Sequence, residues 1–312
     1  MGNFLKKQWF LISLFVAMAI GFWLANELKP LSDSFAIRYS IVFLVMLAMA
    51  LPLEFSAFVD VVKKPTAAAL ACGLNLGAFP LLTAIGLAFF DSSTAAGFVV
   101  VGATPCTLAS AAVWTRRAGG NDAVAIMVTV ITNLFCFIVS PAIIWAILGS
   151  ATQIEPGPLL VRLALLIVLP IGIAQISRLN SNVRQFSANR KPALSLFAQV
   201  GILLMVVIGS SKTGQGFLAG EMSFELGSLS IQFLALVVLH LVILFAGYGL
   251  AIVLKLGRAN AIAVAISGSQ KTLMVGLLLC QELQVTILPI VLYHAIQLII
   301  DTIFVNRVRV SD

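Results

Sequence analysis

The chain has 312 residues, of which 61% are hydrophobic and 10% charged, with a mean hydropathy of +1.09. An ordinary soluble domain carries about 25% charged residues and a disordered chain is poor in apolar ones, so both classes are excluded. The formal charge of +7 lies in small groups between apolar stretches rather than in one stripe, which excludes a nucleic-acid-binding surface.

Ten apolar runs follow in chain order, at 8–25, 36–53, 65–90, 94–117, 122–149, 157–178, 193–211, 228–255, 259–281 and 284–306. A membrane span needs about 20 such residues. The first run follows Lys6 and Lys7 as a signal peptide would, but no small-residue cleavage site follows it, so it reads as a span. Short turn-like breaks separate the rest: Lys29-Pro30, Lys64-Pro65, Asp91-Ser92-Ser93, Gly119-Gly120-Asn121, Pro156-Gly157-Pro158 and Lys191-Pro192. The runs are continuous rather than alternating, which argues against a β-barrel. The expected fold is an all-α polytopic membrane protein of ten transmembrane helices, with the lipid bilayer as its main partner and no sizeable soluble domain. Cys72, Cys106, Cys136 and Cys280 all lie in apolar stretches without a C-x-x-C pair, so no disulfide framework or zinc site is expected.

Positive charge sets the orientation. With ten spans, the termini and alternate loops share one side. That side holds fourteen basic residues: Lys6, Lys7, Lys63, Lys64, Arg116, Arg117, Arg178, Arg184, Arg190, Lys191, Lys255, Arg258, Arg307 and Arg309. The other side holds four, Lys29, Arg38, Arg162 and Lys212. Both termini are therefore expected in the cytoplasm, with the protein in the cell's inner (plasma) membrane. Ten spans divide into five-span halves, 1–150 and 151–312. An odd-numbered half inverts when repeated, and inverted repeats with substrate held at mid-depth between broken helices are a common plan of secondary transporters.

Two spans carry the residues that suit such a site. Span 4 contains Thr104-Pro105-Cys106-Thr107-Leu108, and span 9 contains Ser267-Gly268-Ser269-Gln270-Lys271-Thr272-Leu273. Pro105 removes a backbone donor, and Gly268 weakens a helix. Interruptions are expected near Thr104–Thr107 and Ser267–Lys271. Small and polar residues there also suit a packed interhelical face, and a proline kink alone is common. A mid-membrane lysine is different, being costly and normally functional. Asn75, Thr129, Thr132, Asn133, His294 and Gln297 reach similar depth by helix rise, either as interhelical glue or as cavity lining. His240, between leucine and valine, reads as glue. Asp301 lies toward the cytoplasm and is a poor ion partner for Lys271. The candidate substrate contacts are Thr104, Pro105, Cys106, Thr107, Asn133, Ser269, Lys271, Thr272 and His294. The candidate ion-coupling residues are Asn75, Ser110, Thr129, Thr132, Gln270 and Lys271. No H-E-x-x-H, Walker A or G-x-S-x-G sequence occurs, so neither an enzyme nor an ATP-driven pump is expected. No cofactor is implied, and an ion gradient, exchange or the cargo's own gradient must supply the coupling.

The stretch from Gly97 to Ser110, Gly119-Gly120-Asn121 before a span ending Ser140-Pro141, and Gly268-Ser269-Gln270-Lys271-Thr272-Leu273 together resemble the bile acid:sodium symporter family. Span 9 and Tyr293-His294 with Gln297 resemble the subgroup that contains solute carrier family 10 member 7. The resemblance covers essentially the whole chain. It implies a panel of spans 1, 2, 6 and 7, a core of spans 3, 4, 5, 8, 9 and 10 with spans 4 and 9 broken and crossing, alternating access, and a small organic anion as cargo. It also marks departures. A glutamate shared between two sodium sites becomes Ile266, a span 4 asparagine becomes Ala111, a span 5 hydroxyl becomes Ala125, and a span 9 asparagine becomes Lys271. Ser110, Thr129, Gln270 and the amide of Asn75 survive as sodium ligands of that pattern. Coupling to Na+ at altered sites, coupling to H+, or replacement of sodium by the Lys271 ammonium all follow from this pattern. A non-transporting membrane regulator or scaffold on the same fold is the alternative function.

Overall fold

The computed structural model describes residues 9–54, 58–108, 110–149, 155–220 and 226–308. Lys6, Lys7 and Arg309 of the charge tally lie outside them. Among the described residues all regular structure is helical. We number the principal helices α1 (Trp9–Trp23), α2 (Phe35–Ala50), α3 (Thr66–Ala88), α4 (Ser92–Ala103), α5 (Ala111–Arg117) and α6 (Asp122–Leu148). Then follow α7 (Pro156–Ser177), α8 (Lys191–Leu218), α9 (Leu226–Val253), α10 (Arg258–Ser269), α11 (Leu273–Leu283) and α12 (Leu288–Val308).

Among the described residues, seven stretches are long and apolar enough to cross a membrane: α3, α6, α7, α8, α9, the Arg258–Leu283 stretch that holds α10 and α11, and α12. Three shorter apolar helices, α1, α2 and α4, occupy the remaining runs. α4 is short because its run breaks at Thr104, where the backbone turns extended. Its start is set by Asp91, whose carboxylate accepts from Ser93 N at 3.0 Å and Thr94 N at 3.1 Å. This supplies partners for two donors that a helix start leaves free.

α8 packs along α1 and α2, and α2 also packs on α7. Small residues permit the close approach: a Cβ on Gly21 of α1 would lie 2.2 Å from Val207 O of α8. The other helices gather round the Arg258–Leu283 stretch, with α9, α3, α6 and α5 all against α10. The apolar window of that stretch is wholly buried, so its irregular backbone faces protein rather than lipid. The loop at Gly119-Gly120-Asn121 is tied to this centre. Asn121 N donates to Ala259 O at 2.9 Å, and its side chain donates to Asn260 Oδ1 at 2.9 Å.

The second interruption falls later than expected. Ser267, Gly268 and Ser269 remain helical, and the break is Gln270–Thr272. The serine hydroxyls bond back to carbonyls one turn earlier, Ser267 to Ala263 at 2.5 Å and Ser269 to Ala265 at 2.9 Å. A serine bonded back in this way stays compatible with a helix interior.

Candidate functional site

A broken helix buried in protein must find partners for its orphan carbonyls. At the end of α4 each one from Val100 to Thr107 has a donor. Val100 O takes Thr104 N at 3.1 Å, and Val101 O takes the Thr104 hydroxyl at 2.8 Å. Ala103 O takes the Ser140 hydroxyl at 2.6 Å, beside Pro141 in α6. Pro105 O takes Thr272 N from the other break at 3.0 Å. Cys106 O takes Asn133 Nδ2 at 2.7 Å, and Thr107 O takes the Thr129 hydroxyl at 3.1 Å. Gly102 O and Thr104 O take the Lys271 ammonium, at 2.7 and 2.9 Å.

The α10–α11 break is satisfied in the same manner. Asn75 Nδ2 lies 3.2, 3.2 and 2.9 Å from the carbonyls of Ser267, Gly268 and Gln270. Ser269 O takes the Tyr293 hydroxyl at 2.6 Å. Gln297 closes a two-way bond with Lys271, accepting from its N–H at 2.9 Å and donating to its carbonyl at 3.0 Å. His294 Nδ1 sits 2.8 Å from the same Gln297 amide nitrogen and is thereby tied to the break.

Lys271 joins the two breaks. It is wholly buried. Its third short contact is to Asn75 O at 2.6 Å, with Asn75 Oδ1 further off at 3.3 Å. An ammonium has three N–H bonds, and here three backbone carbonyls lie within 2.9 Å. The Phe79 ring face closes the site 4.4 Å from the nitrogen. The cation also lies at the C-terminal, negative end of α4.

Local sequence explains why the Asn75 carbonyl is free. Leu74–Ala78 form a π turn in which Phe79 N bonds Leu74 O. The next candidate donor would be residue 80, and Pro80 has no N–H. The Asn75 carbonyl is left to Lys271. α4 approaches this point through Gly102, where a Cβ would lie 2.2 Å from Thr83 Oγ1 and 2.8 Å from Pro80 Cα.

The structure brings Thr104, Pro105, Cys106, Thr107, Ser269, Lys271, Thr272, Asn133, Thr132 and Asn75 into one buried crossing. Thr132 contributes its hydroxyl as acceptor for Cys106 N at 3.1 Å. Of the four surviving sodium positions, Ser110 and Asn75 both bond Gln270, and Thr129 bonds the nearby Thr107 carbonyl. The Ser110 hydroxyl donates to Gln270 Oε1 at 3.0 Å, whereas Thr129 serves the Thr107 carbonyl and Asn75 points its amide hydrogens at the break. The break's carbonyls each accept one hydrogen bond, from Asn75, Tyr293 or Gln297.

Phe79, Gly102, Tyr293 and Gln297 are contacts that the candidate list omits. Pro80, five residues after Asn75, and the glycine two residues before Thr104 were the available signals. Two cavities flank the crossing, at opposite halves of α8. One, of about 520 Å³, lies between α2 and α8 on one side and α5 and α6 on the other, and includes Leu108, Ala112, Arg116 and Lys191. The other, of about 530 Å³, lies between α8 and α11 and includes Lys29, Lys212 and Gln281. The candidate substrate contacts line neither.

An apolar helical bundle with two broken helices crossing at its centre has the architecture of a membrane transporter. The sequence profile of the SBF-like CPA transporter family matches residues 8–310, and the chain belongs to that family. It is 20% identical to sodium/bile acid cotransporter 7-B of Xenopus laevis, over 98% of this chain and 92% of that protein. It is 20% identical to sodium/bile acid cotransporter 7 of Rattus norvegicus, over 97% and 93%. The uncharacterized sodium-dependent transporter YocS of Bacillus subtilis is 29% identical over 64% of this chain and 61% of that protein.

Proposed function

We propose that the protein is a secondary active transporter of a small organic anion. It works by alternating access between a panel (α1, α2, α7, α8) and a core built round the crossing. In this reading the chain makes ten spans in two inverted halves, 1–150 and 151–312, with both termini cytoplasmic in the plasma membrane. The observation that carries it is the pair of breaks locked through one buried ammonium. A transporter needs such a junction at mid-depth, and a passive scaffold does not. Local correspondence supports the repeat. Cys106 and Lys271 each have both backbone N–H and C=O bonded by side chains of the following helix, Thr132 with Asn133 in one case and Gln297 in the other.

The relatives' names pair sodium with a bile acid. For this chain the crossing supports a different arrangement. The Lys271 ammonium is a resident cation where the family resemblance implies a sodium-coordinating region, and transport does not depend on two sodium ions. The anion enters between panel and core, where Lys29 and Lys212 line one cavity, with Lys212 paired to Asp33 at 2.9 Å, and Lys191 and Arg116 line the other, with Arg116 paired to Asp122. Purified protein in liposomes should take up at least one member of a panel of labelled bile acids and smaller carboxylates and sulfonates. Absence of flux for all of them with folded protein, or uptake of cationic or neutral compounds only, contradicts this reading.

A further inference from the structure

His240 on α9 and Asp301 on α12 are both wholly buried. His240 Nε2 lies 3.1 Å from Asp301 Oδ1, and its Nδ1 lies 2.7 Å from the Tyr293 oxygen. Tyr293 already donates its hydroxyl proton to Ser269 O at 2.6 Å. A phenol has one such proton, so the proton in the Nδ1 contact comes from the imidazole. The Nε2 contact needs a second, from the ring or from the carboxyl. Two protons on this pair is one more than a neutral histidine beside an ionised aspartate carries. From this count we infer that the His240–Asp301 pair is a proton-binding site whose occupancy sets the hydrogen bonding of the α10–α11 break.

The surroundings leave the pair self-contained. Asp301 Oδ2 accepts from Gln270 Nε2 at 2.5 Å, and Gln270 is held in turn by Ser110 of the other broken span. Lys271 turns its ammonium away, toward the Asn75, Gly102 and Thr104 carbonyls. From α3 the uncharged Phe79 ring meets Tyr293 edge-on with centroids 5.4 Å apart. From α10, Ala265 and Ile266 cluster with Leu244 of α9 and Phe304 of α12, all of them uncharged. His294, also on α12, is engaged with Gln297, and the Cys106 thiol accepts from the Thr129 hydroxyl at 3.6 Å. Among the described residues His240 is the ion partner of Asp301.

Release of the proton to water leaves one proton for two contacts. If it stays on Nδ1, lone pairs of Nε2 and Oδ1 face each other. If it moves to Nε2, Tyr293 must turn its hydroxyl to Nδ1, and Ser269 O, at the last residue of α10, loses its donor. Either way the change reaches the break through Tyr293 or Gln270. A proton bound here is a coupling ion for the transport proposed above, and only that use rests on the transport reading.

The chain has two histidines, so ¹⁵N-histidine labelling of the purified protein, with His294→Gln for assignment, isolates the His240 ring. Wild type should show Nδ1 protonated and Nε2 hydrogen-bonded to the carboxyl, with both signals moving together wherever a change of pH removes the proton. In Asp301→Asn the amide donates to Nε2, so His240 should stay an Nδ1–H tautomer with no titration. Tyr293→Phe removes the acceptor for Nδ1–H and should shift the wild-type midpoint. The proposal is overturned by an Nε2–H tautomer with bare Nδ1 throughout the range. It is equally overturned by an unaltered titration in Asp301→Asn or in Tyr293→Phe. These readouts need no cargo, so they separate failure of the proton site from failure of the transport reading.

Discussion

Lys271→Ala is expected to be the most damaging single substitution in the protein. It strands the carbonyls of Asn75, Gly102 and Thr104, to which the ammonium donates. A buried polar group left unpaired costs about 1–3 kcal/mol, and part of the loss returns if water or a cation fills the space. The purified variant should melt well below wild type in detergent and lose transport. Lys271→Arg should not rescue it, because a planar guanidinium cannot present three convergent hydrogens to carbonyls packed under the Phe79 ring. The space left by Lys271→Ala is lined by carbonyl oxygens, the ligands a hard cation takes, so sodium should raise the variant's melting temperature. A variant as stable as wild type, without added sodium, contradicts the role given to the ammonium.

Asn75→Leu is expected to come next. The substitution keeps the bulk and removes the amide that holds Ser267 O, Gly268 O and Gln270 O. With two donor hydrogens lost, the cost is about 3 kcal/mol or more. The backbone Asn75 O remains for Lys271, so the damage should concentrate at one break. Hydrogen–deuterium exchange should therefore quicken over Ser267–Leu273 and much less over Thr104–Thr107. Equal loss of protection at both breaks would show that Asn75 serves the crossing as a whole rather than the α10–α11 side.

The features that broke local rules were legible in the sequence: a proline in one apolar run, and glycine, serines and a lysine in another. These rules concern single helices, and violations mark where a helix cannot continue. The exact place of the second break was not legible, because Ser267 and Ser269 can bond back to their own helix, and a residue string does not say that they do. Depth counting along helices placed Asn75, Asn133 and His294 level with Lys271, but said nothing of which faced it. The acceptors that hold the ammonium are backbone carbonyls, present at every residue and so without a signature of their own. Pro80 shows the limit best. Its missing N–H frees a carbonyl five residues back, and that matters only because another helix brings a lysine there. His240 read as glue for the same reason. Its flanks are apolar, and the partners that give it chemistry lie on α12, more than fifty residues away in the chain.

The central claim is that the crossing carries its own cation. Uptake of a transported anion into liposomes, measured against sodium concentration at fixed pH and membrane potential, tests it most directly. A resident ammonium predicts weak or absent sodium dependence in wild type, with a sodium requirement emerging in Lys271→Ala if that variant transports at all. A steep, saturable sodium dependence with a Hill coefficient near about 2, unchanged in Lys271→Ala, would contradict it.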